Sequence, residues 1–445
     1  MVLGGSMAGL LAARVLTDHF DEVTVVERDV LPEAAAPRKG VPQARHVHAL
    51  LARGAAILER YLPGFGADLD AAGAPTLQFG RDVDVLGRFG WSRPFSPTIP
   101  LRAATRDLIE ATVRARVRKL GRVRLLDGHD IVGLAHDGGR VTGVRITGRD
   151  MPCAQTLLPA DLVVDATGRA SRAPRWLEAT GYDAVEETVV DAGVAYASAL
   201  YRDVPPMPGG HAGVLVTPHA PETCRSGMVF PIEGGLHIVT LMGAGGELPP
   251  GDEAGFLRYA GGLRAPHVHE AIRGATRVSP IATSRTTANR LRHFERMRRW
   301  PRGFVAVGDA VCAFNPTYGQ GMTVAALEAE RLDAMLRAGP LRERAFQKAV
   351  AALVAPIWSM ATLEDFRYPG TRGERPPAAR FVHRYMDAVF RLLPHDAWVS
   401  ERFTRVVQLL APSTSLFAPG MLARLAAARR YGRRAPAELQ PALST

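Results

Sequence analysis

The chain has 445 residues, 47% hydrophobic and 22% charged, which is ordinary for a soluble globular protein and long enough for two or three packed layers or domains. No apolar run approaches the roughly 18 residues of a membrane span, and no basic stretch followed by an apolar segment marks a secretory leader. The formal net charge of +11 is almost all arginine, spread along the chain, since the lysines are only Lys39, Lys119 and Lys348.

Nucleic acid is therefore not the expected partner. The densest basic groups, Arg296-Met297-Arg298-Arg299 and Arg429-Arg430-Tyr431-Gly432-Arg433-Arg434, read as solvated surface. A basic rim that docks an acidic carrier protein is the better expectation. Cys153, Cys224 and Cys312 are scattered and outside any metal-type spacing, so no metal is expected and the thiols read as reduced and cytoplasmic.

In chain order, Met1 to Leu3 is apolar and reads as the end of a strand, which suggests a natural start further upstream. Gly4 to Gly9 is a glycine turn, Leu10 to Leu16 is helical, and Val23 to Val26 is a continuous β-branched run, as a buried parallel strand should be. A helix is expected over Ala44 to Tyr61 and a second over Arg106 to Lys119. Strands follow at Val123 to Leu126, Ile131 to His136, Val141 to Ile146 and Leu162 to Asp165, with Asp137-Gly138-Gly139 as a hairpin turn. These predict a three-stranded antiparallel insertion in a dinucleotide-binding fold.

From Tyr182 to Arg285 helical periodicity gives way to strand-like segments at Val194 to Tyr201, Val214 to Thr217, Met228 to Pro231 and Leu236 to Met242. Phe304 to Val307 returns to a buried strand, followed by a helix from Gly321 to about Arg337. From Leu341 onward the chain reads as helical, with breaks at Pro369, Pro394 and Pro419. The expected fold is α/β: a Rossmann-like domain (1–80, 101–181, 286–340), a sheet-rich substrate domain (81–100, 182–285) and a C-terminal helical region (341–445).

Three segments carry the chemistry. Gly4-Gly5-Ser6-Met7-Ala8-Gly9 is a G-x-G-x-x-G variant with Ser6 at the second glycine. Small residues there let main-chain N–H groups at a helix N-terminus approach a pyrophosphate. Glu27 ends the next strand about twenty residues on, where an acid binds ribose hydroxyls. Gly308-Asp309-Ala310 follows the Phe304 strand and leads into Asn315-Pro316-Thr317-Tyr318-Gly319-Gln320-Gly321-Met322 and a long helix, whose positive end favours an anion. The third segment runs from Asp161 to Arg169, a strand ending in the small-residue turn Ala166-Thr167-Gly168.

In this order the three segments resemble the FAD-dependent monooxygenases of the para-hydroxybenzoate hydroxylase-type fold, over Met1 to about Leu336. The resemblance implies that Gly4, Ser6, Gly9 and Glu27, with Arg28, hold the ADP part of FAD. It places Asp309 on the ribityl and pyrophosphate, and Pro316, Gly319, Gly321 and Met322 around the isoalloxazine. A narrower similarity links Arg38 to His48, Val190-Asp191-Ala192-Gly193 and Phe314 to Met322 to the polyene epoxidases of polyether antibiotic biosynthesis. It implies that Arg45 and Arg106 lie beside FAD. The expected activity is insertion of one oxygen atom from O₂ into a lipophilic polyene or polyketide, through a flavin hydroperoxide. Tyr196, Met228, Phe230 and Leu241 are the candidate substrate-lining residues, each equally able to be sheet core.

The chain has Thr167-Gly168 where that family usually carries Asp-Gly, and no second nucleotide fingerprint follows. Electrons are therefore expected either from NAD(P)H bound transiently or from a partner flavin reductase. His46 and His48, read as helical, would not share a face and are not read as metal ligands. A halogenase is the weaker rival, because W-x-W-x-I-P is replaced by Ser226-Gly227-Met228-Val229-Phe230-Pro231. An aromatic hydroxylase and a double-bond reductase are the stronger ones.

Overall fold

A computed structural model describes residues 1–428 apart from Thr286, so Arg429 to Arg434 lie outside the described residues. The first layer is a five-stranded parallel sheet in the order Phe304–Ala306, Val163–Asp165, Val2–Leu3, Val23–Val26, Val123–Leu126. All of its strands except the edge strand Val123–Leu126 are fully buried because helices cover them. Met7–Leu16 packs on both Arg106–Arg118 and Gly321–Arg337, all within one core that includes Val2, Leu10, Val25, Val163 and Phe304.

The antiparallel insertion has three strands, His129–Asp137, Arg140–Gly148 and Met151–Pro159. The third is not among the expected ones, and Val123–Leu126 and Val163–Asp165 belong to the parallel sheet instead. Met151–Pro159 is an edge strand with Met151 and Leu157 exposed, so no apolar alternation marks it in the sequence. The helix expected over Ala44 to Tyr61 is shorter than that. The helix runs only from Ala52 to Tyr61, after a short 3₁₀ turn at Pro42–Arg45. His46 to Leu51 stay outside the helix, because the Val47 N–H donates to Thr240 Oγ1 (3.2 Å) in a neighbouring sheet.

That sheet is the second layer. Its main path runs Thr276–Arg277, Ala195–Arg202, Leu236–Gly243, Arg225–Ile232, Gly213–Val216, Val83–Gly87, Thr76–Phe79, Ile99–Arg102. The first and last of the strands drawn from residues 76–102 thus reach beyond the 81–100 segment expected to contribute. Helices Glu253–Gly261 and His267–Ile272, which the sequence reading passes over, cover one face through Phe256, Tyr259, Val268 and Ile272. Strand alternation sends Ala197, Ala199, Val239 and Leu241 to that covered face.

C-terminal to these layers, Glu343–Asp365 is long and apolar enough, by length and composition alone, to cross a membrane. Here its Phe346, Val350, Val354 and Ile357 pack into the first core. Helices Ala379–Leu392, Ala397–Val407 and Pro419–Ala428 form a further cluster around Val389, Leu393, Val399, Val406 and Met421. Pro419 begins a helix rather than breaking one, as a residue without an N–H can at the first helical position.

Candidate cofactor and active site

The glycine turn sits at the carboxyl edge of the parallel sheet. Gly4 has φ +98°, and a Cβ on it would lie 2.5 Å from the Ala166 carbonyl oxygen; a Cβ on Gly9 would lie 1.8 Å from the Gly4 carbonyl oxygen. Only glycine fits either place. Glu27 is buried and takes the Gly5 N–H at 2.7 Å and the Asp29 N–H at 3.0 Å. Its carboxylate is thereby anchored beside the turn with lone pairs to spare.

Ser6 explains its own departure from glycine. Its hydroxyl donates to Glu110 Oε2 (2.7 Å) and accepts from Arg106 Nη2 (2.9 Å), tying the turn to the Arg106–Arg118 helix. Glu110 is buried and also pairs with Arg106 (2.9 Å) and Arg38 (2.5 Å). Burial pushes its pKa up, but the Arg106 and Arg38 charges and the Ser6 bond hold it below the ordinary value. Glu110 is not among the residues singled out by the sequence motifs, although its place four residues after Arg106 on a helix is a signal for such a pair. Arg28 and Arg45 are exposed, and Arg45 makes no hydrogen bond or ion pair among the described residues.

Gly308 brings the second segment against the first, because a Cβ on it would meet the Ala8 Cβ at 2.7 Å. Asp309 is half-buried, and its carboxylate has no hydrogen-bond partner among the described residues. Burial raises its pKa against the pull of Arg169, Arg106 and Arg292. A Cβ at Gly321 would stand 3.7 Å from Asp309 Oδ1, which places this acid at the mouth of the Gly321–Arg337 helix. Neither that helix nor Met7–Leu16 has a side-chain cap on its first turn, so both offer free N–H groups and a positive end. Met322 is in the core by its side chain. The unpartnered acid, the glycine cradle and two uncapped helix starts fit FAD, whose ADP part would be held by Gly4–Gly9 and Glu27 and whose ribityl chain would be held by Asp309.

Beside this cradle lies a cavity of about 660 Å³. The loop Pro316 to Gln320 forms one end of it, with Gly319 at φ +64° against Ala49. Tyr196, Met228 and Phe230 all line it, whereas Leu241 belongs to the opposite face and is core. Register explains the split. Tyr196 and Ser226 pair with Met242, and Met228 and Ser198 pair with Thr240, so these rows share one face. The C-terminal helices supply the facing wall, including Leu363, Met386, Phe390 and Phe403.

Polar groups gather near the loop. The Tyr196 hydroxyl donates to Asn315 Oδ1 (2.8 Å) and lies 2.6 Å from Thr317 Oγ1. Burial drives its pKa up. Asp365 accepts from Tyr318 (2.9 Å), Asn289 (2.6 Å) and Asn315 (3.2 Å), and burial raises it to about 6. His46 and His48 also line the cavity, both lowered to about 4: His46 by burial and then Arg45, His48 by burial and then Arg106. They lie in a non-helical segment, not on a helix as expected; among the described residues no cluster of His, Cys, Asp or Glu could hold a metal.

A Rossmann-type layer, a glycine cradle and an acid at a second helix mouth define a protein that binds FAD. The chain belongs to the family described as FAD binding domain, whose model matches residues 1–350. It is 34% identical over 437 residues to Protein Rv3254 of Mycobacterium tuberculosis, covering 92% of this chain and 89% of that one. Among solved structures, a flavoprotein/dehydrogenase from Cytophaga hutchinsonii matches with TM-score 0.69 and 16% identity, over 97% of this chain and 98% of that one. The myxobacterial chondrochloren halogenase matches at 0.62 and 18%, over 95% and 91%. PqsL of Pseudomonas aeruginosa, described as a probable FAD-dependent monooxygenase, matches at 0.60 and 18%, over 90% and 98%. At these identities the structures are alike in fold alone.

Proposed function

We propose that this protein is an FAD-dependent monooxygenase that inserts one oxygen atom of O₂ into a lipophilic natural-product intermediate, by epoxidation of an alkene. The observation that carries the reading is the apolar cavity that meets the Pro316 to Gln320 loop. Reduced FAD, when bound, supplies the activation of O₂. The protein's own share is positioning and exclusion of water. Met228, Phe230, Ile238, Met242 and Phe390 present an apolar lining that orients a hydrocarbon and keeps water from the reacting carbon.

Epoxidation is favoured over phenol hydroxylation because Tyr196 and the two histidines beside the Pro316 to Gln320 loop offer no strong base. The Tyr196 hydroxyl is committed to Asn315 and Thr317, and both histidines are weak bases. An alkene needs no deprotonation, whereas a phenol gains from it. We take electrons to come from NAD(P)H slowly, or from a partner reductase, since Thr167 replaces the acid usual in the resembling family. Its hydroxyl is bound to Asp165 Oδ1 (2.5 Å). A carrier-tethered substrate fits the basic surface.

The test is turnover of the FAD-loaded protein with a flavin reductase, ¹⁸O₂ and a panel of polyenes and phenols, read by mass. One labelled oxygen in an epoxide is expected. Conversion of phenols alone, with a rate that tracks phenol ionisation, makes it an aromatic hydroxylase. Saturation of a double bond without O₂ makes it a reductase and ends the monooxygenase reading.

A further inference from the structure

Where the cavity nears the Pro316 to Tyr318 turn, its apolar lining gives way to two histidines that oxygen transfer to an alkene does not use. His46 is buried, with Nδ1 2.8 Å from Ser198 Oγ. Ser198 Oγ lies 2.7 Å from Thr240 Oγ1, which takes the Val47 N–H at 3.2 Å. These partners order the protons. A main-chain N–H only donates, so Thr240 Oγ1 accepts from Val47, and among the described residues its own proton has one acceptor, Ser198 Oγ. The arrangement that gives every hydroxyl proton an acceptor has Ser198 donating to His46 Nδ1, which is then the bare ring nitrogen. A neutral imidazole carries its proton on the other nitrogen, so His46 has an Nε2–H.

That N–H has no partner among the described residues, and the ring lines the cavity 5.8 Å from the Tyr196 ring. Burial, helped by Arg45, keeps the ring neutral at physiological pH. His48 is fixed the opposite way. Its Nδ1 lies 2.9 Å from the His46 carbonyl oxygen, which only accepts, so Nδ1 carries the proton. His211, the third histidine lining the cavity, has its Nδ1 3.0 Å from the Arg81 carbonyl oxygen and is fixed like His48, so of the three only His46 presents a ring N–H left unpaired among the described residues.

We propose that His46 reads a carbonyl oxygen on the substrate, so that the cavity selects a lipophilic molecule bearing a carbonyl near the carbon that is oxidised. This rests on the cavity being the substrate site. A hydrocarbon in the same place leaves a desolvated N–H unpaired, and sites built to bond an oxygen discriminate strongly against analogues lacking it. Ser198 and Thr240 are the positioning residues that set the tautomer.

The probes are 2-undecanone and its isostere 2-methyl-1-undecene, titrated into the FAD-loaded protein and followed by the flavin absorbance spectrum. The ketone should bind about tenfold tighter or more. That preference should vanish in His46→Phe and persist in His46→Gln, whose amide N–H replaces Nε2–H. Equal affinity of both probes for the unaltered protein, or a preference that survives in His46→Phe, overturns the assignment but leaves the cavity as a lipophilic site. Failure of both probes to bind overturns the cavity reading and this inference with it. If His46→Phe does not retain FAD, ¹⁵N shifts of His46 in the unaltered protein decide. An Nε2–H tautomer is expected, and an Nδ1–H tautomer overturns the proposal.

Discussion

The Tyr318 hydroxyl donates to Asp365 Oδ1 at 2.9 Å, so a residue of the loop at the cavity's end is held by the last residue of a helix from the C-terminal region. Asn289 and Asn315 donate to the same buried carboxyl. Asp365→Ala would strand these donors in a site closed to water, at a cost on the order of 3 kcal/mol. Tyr318→Phe removes one bond and should cost about 1 kcal/mol. Urea unfolding of the FAD-loaded variants checks the order. A stable Asp365→Ala protein with full FAD content would mean that the loop is held by other contacts.

Asp309 and Asp191 should separate cofactor binding from stability. The Asp309 carboxylate has no hydrogen-bond partner among the described residues, while Asp191 takes the Gly193 N–H (2.9 Å) and pairs with Arg372 (2.6 Å). Asp309→Ala should leave the apoprotein as stable as before and weaken FAD binding about tenfold or more. Asp191→Ala should keep FAD and lose about 1 kcal/mol of stability. FAD content after desalting, set beside apoprotein melting, reads both. Equal FAD retention in the two variants would remove Asp309 from the cofactor site.

A third expectation concerns pH. Glu328 is fully buried, accepts the Gly308 N–H at 2.5 Å, and leaves Oε1 without a partner among the described residues. Burial, opposed by that N–H and reinforced by Asp309, raises its pKa from 4.5 to about 8. The folded state therefore holds this proton more tightly than the unfolded chain. The stabilisation is complete below the unfolded value and is lost as pH rises through about 8. Glu328→Gln mimics the protonated acid, so its stability relative to the unaltered protein should climb between pH 5 and pH 8, by at most about 1.4 kcal/mol per unit. Parallel stability curves across that range would show that Glu328 is ionised in the fold.

The sequence by itself determined the nucleotide-binding half. Gly4 at φ +98°, Gly9 against the nearby Gly4 carbonyl and the β-branched Val23 to Val26 run are legible from local sterics and from apolar continuity. The helix from Gly321 to Arg337 is equally local, and its expected ends match the observed ones. What tertiary structure decided was everything set by register or by remote pairing. Tyr196, Met228, Phe230 and Leu241 are alike as apolar strand residues. Only the pairing of Met228 with Thr240 puts the first three on the cavity and Leu241 on the covered face, since a shift of one residue exchanges the faces. His46 looks helical until Thr240, 193 residues away from Val47, claims the N–H that a helix would have used. Glu110 and Asp365 read as ordinary helical acids because their partners, Ser6 and Arg38 for one and Tyr318 and Asn289 for the other, are brought to them only by packing.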